Sequence, residues 1–132
     1  MQPSSTALWE LKPELFSGLE AFEQVLQYKF KNKNWLYEAL THRSALVCEG
    51  LDESRLGEER RWNERLEFLG DSVLGLTIAE FLSNQDRSTS EGDMSRMRAA
   101  LVCEASLAAI AQSKLNLGAR LVLGQSELRS QG

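Results

Sequence analysis

The hydrophobic pattern between residues 63 and 82 predicts the longest and most apolar helix of the chain. This stretch opens with the segment NERLEFLGDSVL at residues 63–74. Its apolar residues point in nearly every direction around a 3.6-residue turn: Leu66, Phe68, Leu69, Val73, Leu74, Leu76, Ile78, Ala79, Phe81 and Leu82. Because a helix that is apolar all round is usually buried, the pattern predicts a central core helix.

Two shorter helices are predicted before this stretch. The first spans residues 19–28 and has its apolar residues on one face: Leu19, Phe22, Val25 and Leu26. The second follows Asn34, whose side chain suits a helix N-cap, and continues to Leu40.

A long helix is also predicted after the central stretch. Residues 83–90 contain no large apolar side chain and read as a loop, and Asp93 is the expected N-cap of the helix that follows. The apolar spacing then continues to about residue 115, and Asn116 to Gly118 is typical of a helix end. For residues 119–132 the pattern predicts a short helix or an extended segment.

The remaining segments complete a prediction of one all-α domain over residues 19–132. Residues 1–18 hold both prolines and are expected to form a loosely held N-terminal extension. Residues 46–62 are polar and charged, which predicts a solvated loop or a short exposed helix. No stretch shows the alternation of a β-strand.

Composition narrows the class of protein. The 132 residues are 42% hydrophobic and 26% charged, as in an ordinary soluble domain. No apolar run approaches the roughly 20 residues that span a bilayer, and the N-terminus lacks signal-peptide features, so we expect a cytoplasmic protein without a membrane partner. A net charge of −4 argues against a protein that coats nucleic acid. The two cysteines are too few for a disulfide framework, and Cys103 is expected in the core.

Three carboxylates on the central helix suggest a metal site. Glu64, Glu67 and Asp71 follow one another at helical spacings that place them on one face. No Lys or Arg lies at the spacings that would neutralise Glu67 and Asp71, and carboxylates beside a core are costly unless a positive partner joins them. Hard oxygen ligands select Mg²⁺ or Mn²⁺. Asp71 is the strongest candidate, because surface glutamates are common whereas an aspartate within an apolar helix is not.

The single histidine, His42, follows the second predicted helix. A general acid–base role would need a partner that the sequence does not identify, so a structural role is the favoured interpretation.

Three segments in this order resemble the ribonuclease III family of double-stranded-RNA endonucleases. They are LTHRSA at residues 40–45, NERLEFLGDSVL at 63–74 and EGDMSRMRA at 91–99. The resemblance covers about residues 19–131 and is greatest to the bacterial branch with one nuclease domain. It implies a compact helical fold that works as a homodimer on double-stranded RNA. The implied reaction is metal-dependent hydrolysis that leaves 5′-phosphates and short 3′ overhangs, in rRNA and mRNA processing.

The resemblance also implies roles for particular residues. Glu67 and Asp71 would be metal ligands for Mg²⁺, with Mn²⁺ able to substitute, and no small-molecule cofactor is implied. Glu64 and Glu91 would line the catalytic cleft, and Phe68 would enter a pocket of the partner subunit. From the sequence itself, two arginines in the first turns of the last long helix are candidate RNA contacts, because guanidinium groups suit phosphate: Arg96 and Arg98.

One part of the family pattern lies outside these 132 residues. The family carries a second acidic pair, an Asp and a Glu three residues later, on a helix that would follow Gly124, and then a double-stranded-RNA-binding domain. The favoured interpretation is a piece of a longer enzyme. Two alternatives are a second copy or chain that supplies the helix, and a shortened dimer that binds or regulates RNA without cleaving it.

Overall fold

A computed structural model describes residues 7–48 and 61–130, and these residues form helices. The α-helices are α1 (Leu8–Leu11), α2 (Leu19–Leu26), α3 (Asn34–Leu40), α4 (Arg43–Cys48), α5 (Glu64–Ser83), α6 (Glu91–Leu101), α7 (Glu104–Ile110) and α8 (Gln125–Ser130). Short 3₁₀ helices cover Pro13–Phe16 and Leu117–Ala119, and a π-helical turn covers Ala111–Leu115. Within the described ranges, the isolated bridge between Thr41 and Val122 is the sole β-type pairing. The prediction of an all-α fold is confirmed.

The helices divide between two compact units, which we describe separately. The first comprises the described residues up to 66 and from 119 onward, and the second comprises residues 67–118. The described part of the chain contains no helix with the length and apolar character needed to cross a membrane.

The N-terminal segment is built into the core of the first unit. Leu8, Trp9 and Phe16 are buried, and the Trp9 ring lies 6.3 Å from Phe16 and 5.9 Å from Tyr37, measured between centroids. The expectation of a loosely held extension is therefore wrong for residues 7–16. Large aromatic side chains bury more apolar area than any other type, which offsets the cost of ordering a proline-containing segment. The domain boundary at residue 19 stays a prediction.

A buried carboxylate shapes the connection between α2 and α3. Helix α2 ends at Leu26, and its C-cap residue Gln27 has a left-handed φ of 52°. Glu23 is 7% exposed, and its Oε1 accepts a hydrogen bond of 2.8 Å from the backbone N–H of Phe30. Its Oε2 lies 3.8 Å from Lys33 Nζ. The glutamate thereby fixes the start of the loop that leads to α3, which begins at Asn34 itself; the predicted N-cap is one residue late.

The chain returns to the first unit through contacts around α4. The backbone N–H of His42 donates to the carbonyl of Val122 at 3.0 Å, and the N–H of Val122 donates to Leu40 at 2.9 Å. The N–H of Gly124 donates to Ser44 Oγ at 2.8 Å, and α8 then packs on α4. The C-terminal piece was predicted as a short helix or an extended segment, and it contains both: an extended bridge at Val122 and the short helix α8.

The second unit begins α6 with a serine cap. Ser90 Oγ accepts a hydrogen bond of 3.1 Å from the N–H of Asp93, and the Ser90 hydroxyl donates to Asp93 Oδ2 at 2.6 Å. Ser90 is therefore the N-cap, and the prediction of Asp93 is wrong, because Asp93 occupies the third helical position that a capping serine pairs with. Asn116, with φ of 46°, ends the helical run where the sequence predicts.

Two predictions about the second unit are wrong. The long helix after residue 91 is broken at Val102 and Cys103, because Ser106 Oγ donates to the Ala100 carbonyl and Cys103 becomes the N-cap of α7. Cys103 is consequently exposed and is not a core residue.

The largest correction concerns α5, whose bounds match the prediction but whose burial does not. Leu82 is its one buried residue, whereas Phe68 is 81% exposed and Leu76 is 72% exposed. An all-round apolar helix needs neighbours on every side, and the described residues do not cover α5 on most of its surface. The predicted loop at residues 46–62 can be compared only in part: residues 46–48 belong to α4, and residues 49–60 lie outside the described residues.

Candidate metal site and nucleic-acid surface

Glu67 and Asp71 lie one helical turn apart on α5 and are both exposed. At this spacing their Cβ atoms are neighbours on the helix surface, about 5–6 Å apart, so the two carboxylates can reach a common ion. Among the described residues, neither carboxylate takes part in an ion pair or a side-chain hydrogen bond. The cost of burial that singled out Asp71 in the sequence is therefore absent here, and what distinguishes the pair is the proximity of two uncompensated negative charges.

These carboxylates fit part of a coordination sphere. Mg²⁺ takes six oxygen ligands and commonly keeps several waters while one or two carboxylates hold it. No group of three or more His, Cys, Asp and Glu residues in the described ranges is close enough to hold a metal ion. The pair supplies hard oxygen donors of the right type, but the described residues do not complete the site.

Glu64, the third carboxylate predicted on this face, is the first residue of α5 and is exposed. It belongs to the first unit, whereas Glu67 and Asp71 belong to the second. The structure therefore places Glu64 on the same helix without bringing it into a three-ligand cluster.

Glu91 lies in a groove of the second unit rather than in a cluster with Asp71. Its Oε1 accepts a hydrogen bond of 2.7 Å from the Ser95 hydroxyl. The groove has a volume of about 660 Å³ and runs between the C-terminal half of α5 and the start of α6. Its floor is largely apolar, and its charged residues are Glu80, Glu91 and Arg98. Glu80 is a lining residue that sequence reasoning missed, since an exposed glutamate on a helix gives no signal of its own.

The two candidate RNA-contact arginines differ in their side-chain partners. The Arg96 guanidinium donates from Nη2 to Asp93 Oδ1 within the first turns of α6. The Ser90 hydroxyl and then the Arg96 guanidinium hold the pKa of Asp93 below its ordinary value. Arg98 is exposed at the groove, so of the two it is the better placed to meet a phosphate.

Phe68 stands beside the carboxylate pair as the most exposed large apolar residue in the described ranges. Further exposed apolar residues of the second unit are Leu69, Val73, Leu76, Phe81, Met97, Leu101, Leu107 and Ile110. We call these nine residues the apolar surface of the second unit. So many exposed large apolar side chains make this unit a candidate for an interaction surface.

His42 holds a structural position. The backbone N–H of Ser44 donates to His42 Nδ1 at 3.2 Å, so this nitrogen is an acceptor, and the Ser44 hydroxyl lies 2.7 Å from the same atom. Ser44 in turn accepts from Gly124. The imidazole therefore helps to join α4 to the segment before α8, as the interpretation of a structural histidine expects.

The fold is similar to that of two solved nuclease-domain structures. The helices superpose on the nuclease domain of ribonuclease III from Campylobacter jejuni with a TM-score of 0.72 and 43% identity, over 87% of this chain and 71% of that one. That structure is described as showing flexibility in a region involved in dimer formation. A second structure of the same nuclease domain gives a TM-score of 0.71. The protein thus has the fold of a helical ribonuclease III nuclease domain.

The sequence comparisons identify the family. Residues 32–132 match the family described as Ribonuclease-III-like, and the chain belongs to this family. It is 46% identical over 114 residues to ribonuclease 3 of Idiomarina loihiensis, and 46% identical over 127 residues to ribonuclease 3 of Geobacter metallireducens. These matches cover 86% and 96% of this chain. The chain spans 44% and 46% of those two relatives, slightly less than half their length.

Proposed function

We propose that this chain is the nuclease part of a cytoplasmic endoribonuclease that hydrolyses double-stranded RNA with the help of Mg²⁺. The products would carry 5′-phosphates and short 3′ overhangs, and the reaction would serve rRNA and mRNA processing. One observation carries the proposal: the uncompensated carboxylate pair of Glu67 and Asp71 lies on α5, in the chain region that matches the ribonuclease-III-like family.

Each residue of the pair would serve as an oxygen ligand. Glu67 and Asp71 are exposed and repel each other, and a bound divalent cation would relieve this repulsion. When bound, such an ion activates water and stabilises the charge that develops on a phosphodiester. The carboxylates themselves would orient that ion on a rigid helix, which holds a site more accurately than a loop does.

A homodimer would cover the apolar surface of the second unit. Phe68 is 81% exposed, and an aromatic side chain that enters a pocket is a frequent energetic centre of an interface. The Campylobacter jejuni structure concerns dimer formation, which supports the same assembly for this chain. The dimer would place one carboxylate pair at each of two strands of a duplex.

A non-catalytic RNA-binding or regulatory dimer is the competing hypothesis. It is favoured by the observation that the described residues assemble two candidate ligands and no third.

Cleavage of a defined RNA duplex distinguishes the two hypotheses. The full-length protein is incubated with an end-labelled duplex in Mg²⁺, in excess chelator, and in chelator followed by restored Mg²⁺. We expect cleavage that disappears with chelator and returns with Mg²⁺, with 5′-phosphates on the products. Specific binding of the duplex without cleavage in any metal would favour the regulatory dimer and overturn the hydrolase.

A further inference from the structure

The two units differ in charge. By sequence, the first unit (residues 1–66 and 119–132) carries 11 Lys and Arg against 12 Asp and Glu, a net charge of −1. The second unit carries four against seven, a net charge of −3. Neither unit attracts a polyanion through its net charge, so attraction must come from local groups of positive side chains.

A short lysine loop lies between α2 and α3 in the first unit. Lys29, Lys31 and Lys33 lie within residues 27–33, a stretch that contains no acidic residue. Lys33 Nζ lies 3.3 Å from Glu20 Oε1 and 3.8 Å from Glu23 Oε2, so this lysine offsets both nearby carboxylates. Lys29 and Lys31 are exposed, and neither forms an ion pair with any described residue.

The loop that carries these two lysines is held in place. The backbone N–H of Phe30, which lies between them, donates to the buried carboxylate of Glu23 at 2.8 Å. The N–H of Tyr28 donates to the Glu23 carbonyl at 3.1 Å, and the rings of Tyr28 and Phe30 meet edge to face with centroids 4.9 Å apart. Binding to a loop of fixed shape costs less ordering entropy than binding to a free one.

We propose that Lys29 and Lys31 contact the phosphate backbone of duplex RNA, as an auxiliary surface separate from the carboxylate pair. The inference rests on the proposed function for its ligand. Lysines are flexible point charges that suit phosphates without reading bases, so this contact would add affinity that does not depend on sequence. Such a surface would give an acidic protein a local site for a polyanion, because it places two positive side chains without ion-pair partners among the described residues close together in the chain.

The salt dependence of RNA binding tests this proposal. The affinity of the full chain for a fluorescent RNA duplex is measured by anisotropy without divalent metal, over a series of KCl concentrations. The test variant is the double substitution Lys29→Gln and Lys31→Gln. Its control is Lys114→Gln with Arg129→Gln, which removes the same charge from exposed positions elsewhere. Equal unfolding temperatures of the two variants and the unaltered protein establish that both fold.

The slope of log affinity against log salt is negative, and we expect its magnitude to decrease by about one for each lysine that engages a phosphate, with weaker binding at low salt. The control should keep the original slope, and Lys29→Arg with Lys31→Arg should keep it as well. An unchanged slope in the glutamine variant overturns this inference while leaving the hydrolase intact. A loss of affinity for single-stranded RNA or polyglutamate, with unchanged affinity for duplex RNA, overturns it too. Failure of the unaltered protein to bind duplex RNA would overturn the proposed function and this inference together.

Discussion

At the scale of single residues, two carboxylates occupy opposite environments. Glu23 is buried and receives the backbone N–H of Phe30 and the charge of Lys33. Asp71 is exposed, and no described side chain compensates it. A buried carboxylate with partners stabilises a fold, whereas an exposed one without partners remains available to an external cation.

Removal of Glu23 should therefore weaken the fold more than removal of its exposed neighbour. Glu23→Ala leaves the Phe30 N–H without its acceptor, and we expect a loss of about 1–3 kcal/mol in the free energy of unfolding. Glu20→Ala breaks a pair in which the glutamate side chain is 86% exposed, and it should cost about 1 kcal/mol or less. Urea denaturation of both variants measures the difference. Equal losses would mean that Glu23 is not an anchor of the loop.

Residue types in sequence indicated which carboxylates matter but not which of them are buried. Asp71 was predicted to be costly because its helix is apolar on all sides, yet the neighbours that would bury it are not among the described residues. Glu23 gave no sequence signal, because its role depends on a backbone N–H seven residues later. Local periodicity does not record such long-range partners.

At the scale of elements, the segment before α2 is where the structure differs most clearly from the sequence prediction. Its α1 and 3₁₀ helix are too short to be stable alone, so their order comes from packing against α3. The Phe16 and Tyr37 rings lie 5.2 Å apart, and Trp9 contacts both. This segment is an integral part of the first unit.

Trp9→Ala should consequently destabilise the protein strongly. The side chain is 6% exposed, and loss of a buried Trp typically costs about 3–5 kcal/mol. The control is Trp35→Ala, since Trp35 is 56% exposed and its truncation should cost well under half as much. Thermal unfolding of the two variants gives the comparison. A similar decrease for both would show that the N-terminal segment is not part of the core.

The existence of the helices was predictable, whereas their ends and breaks were less so. The starts of α2 and α5 match the sequence prediction within one residue, because apolar spacing marks a helix. The cap of α6 at Ser90 and the break before Cys103 depend on single side-chain hydrogen bonds. Several residues near a helix start can cap it, so the choice among them is decided by geometry rather than by residue type.

At the scale of the whole molecule, the apolar surface of the second unit is the dominant feature. The described helices leave Phe68 and Leu76 more than two-thirds exposed, which a stable soluble protein tolerates when another surface covers them. A second copy of the chain is the occupant that the proposed function supplies.

Phe68→Ala should weaken the dimer. Burial of a Phe side chain is worth about 1.5–3 kcal/mol, so the dimer dissociation constant should rise about tenfold or more. Sedimentation equilibrium of the variant measures this constant. Leu15→Ala is the control, because it shortens an exposed apolar side chain of the first unit. A dimer that is as tight in the Phe68 variant as in the control would contradict the role of Phe68.

The candidate site could be predicted as a list of residues but not as an arrangement. The sequence indicated Glu67 and Asp71, and the structure places them one turn apart as helical spacing requires. The resemblance implies that Glu64 and Glu91 line the same cleft, and this stays a prediction; within the second unit, Glu91 lies in a groove with Glu80 and Arg98. Residues from different helices come together through packing, which spacing along the chain does not encode.

The most direct measurement is RNA cleavage by the full-length protein with Asp71→Asn, beside the same protein with Asp86→Asn, with duplex binding recorded for both. Asp86 is an exposed loop carboxylate bound by Ser88, so its substitution removes one charge away from the candidate site. We expect Asp71→Asn to bind the duplex but cleave it at least about 100-fold more slowly in Mg²⁺, because even outer-shell changes at metal sites cost about 10–100-fold. Asp86→Asn should cleave at the original rate. Undiminished cleavage by Asp71→Asn would contradict the assignment of this carboxylate to the metal site.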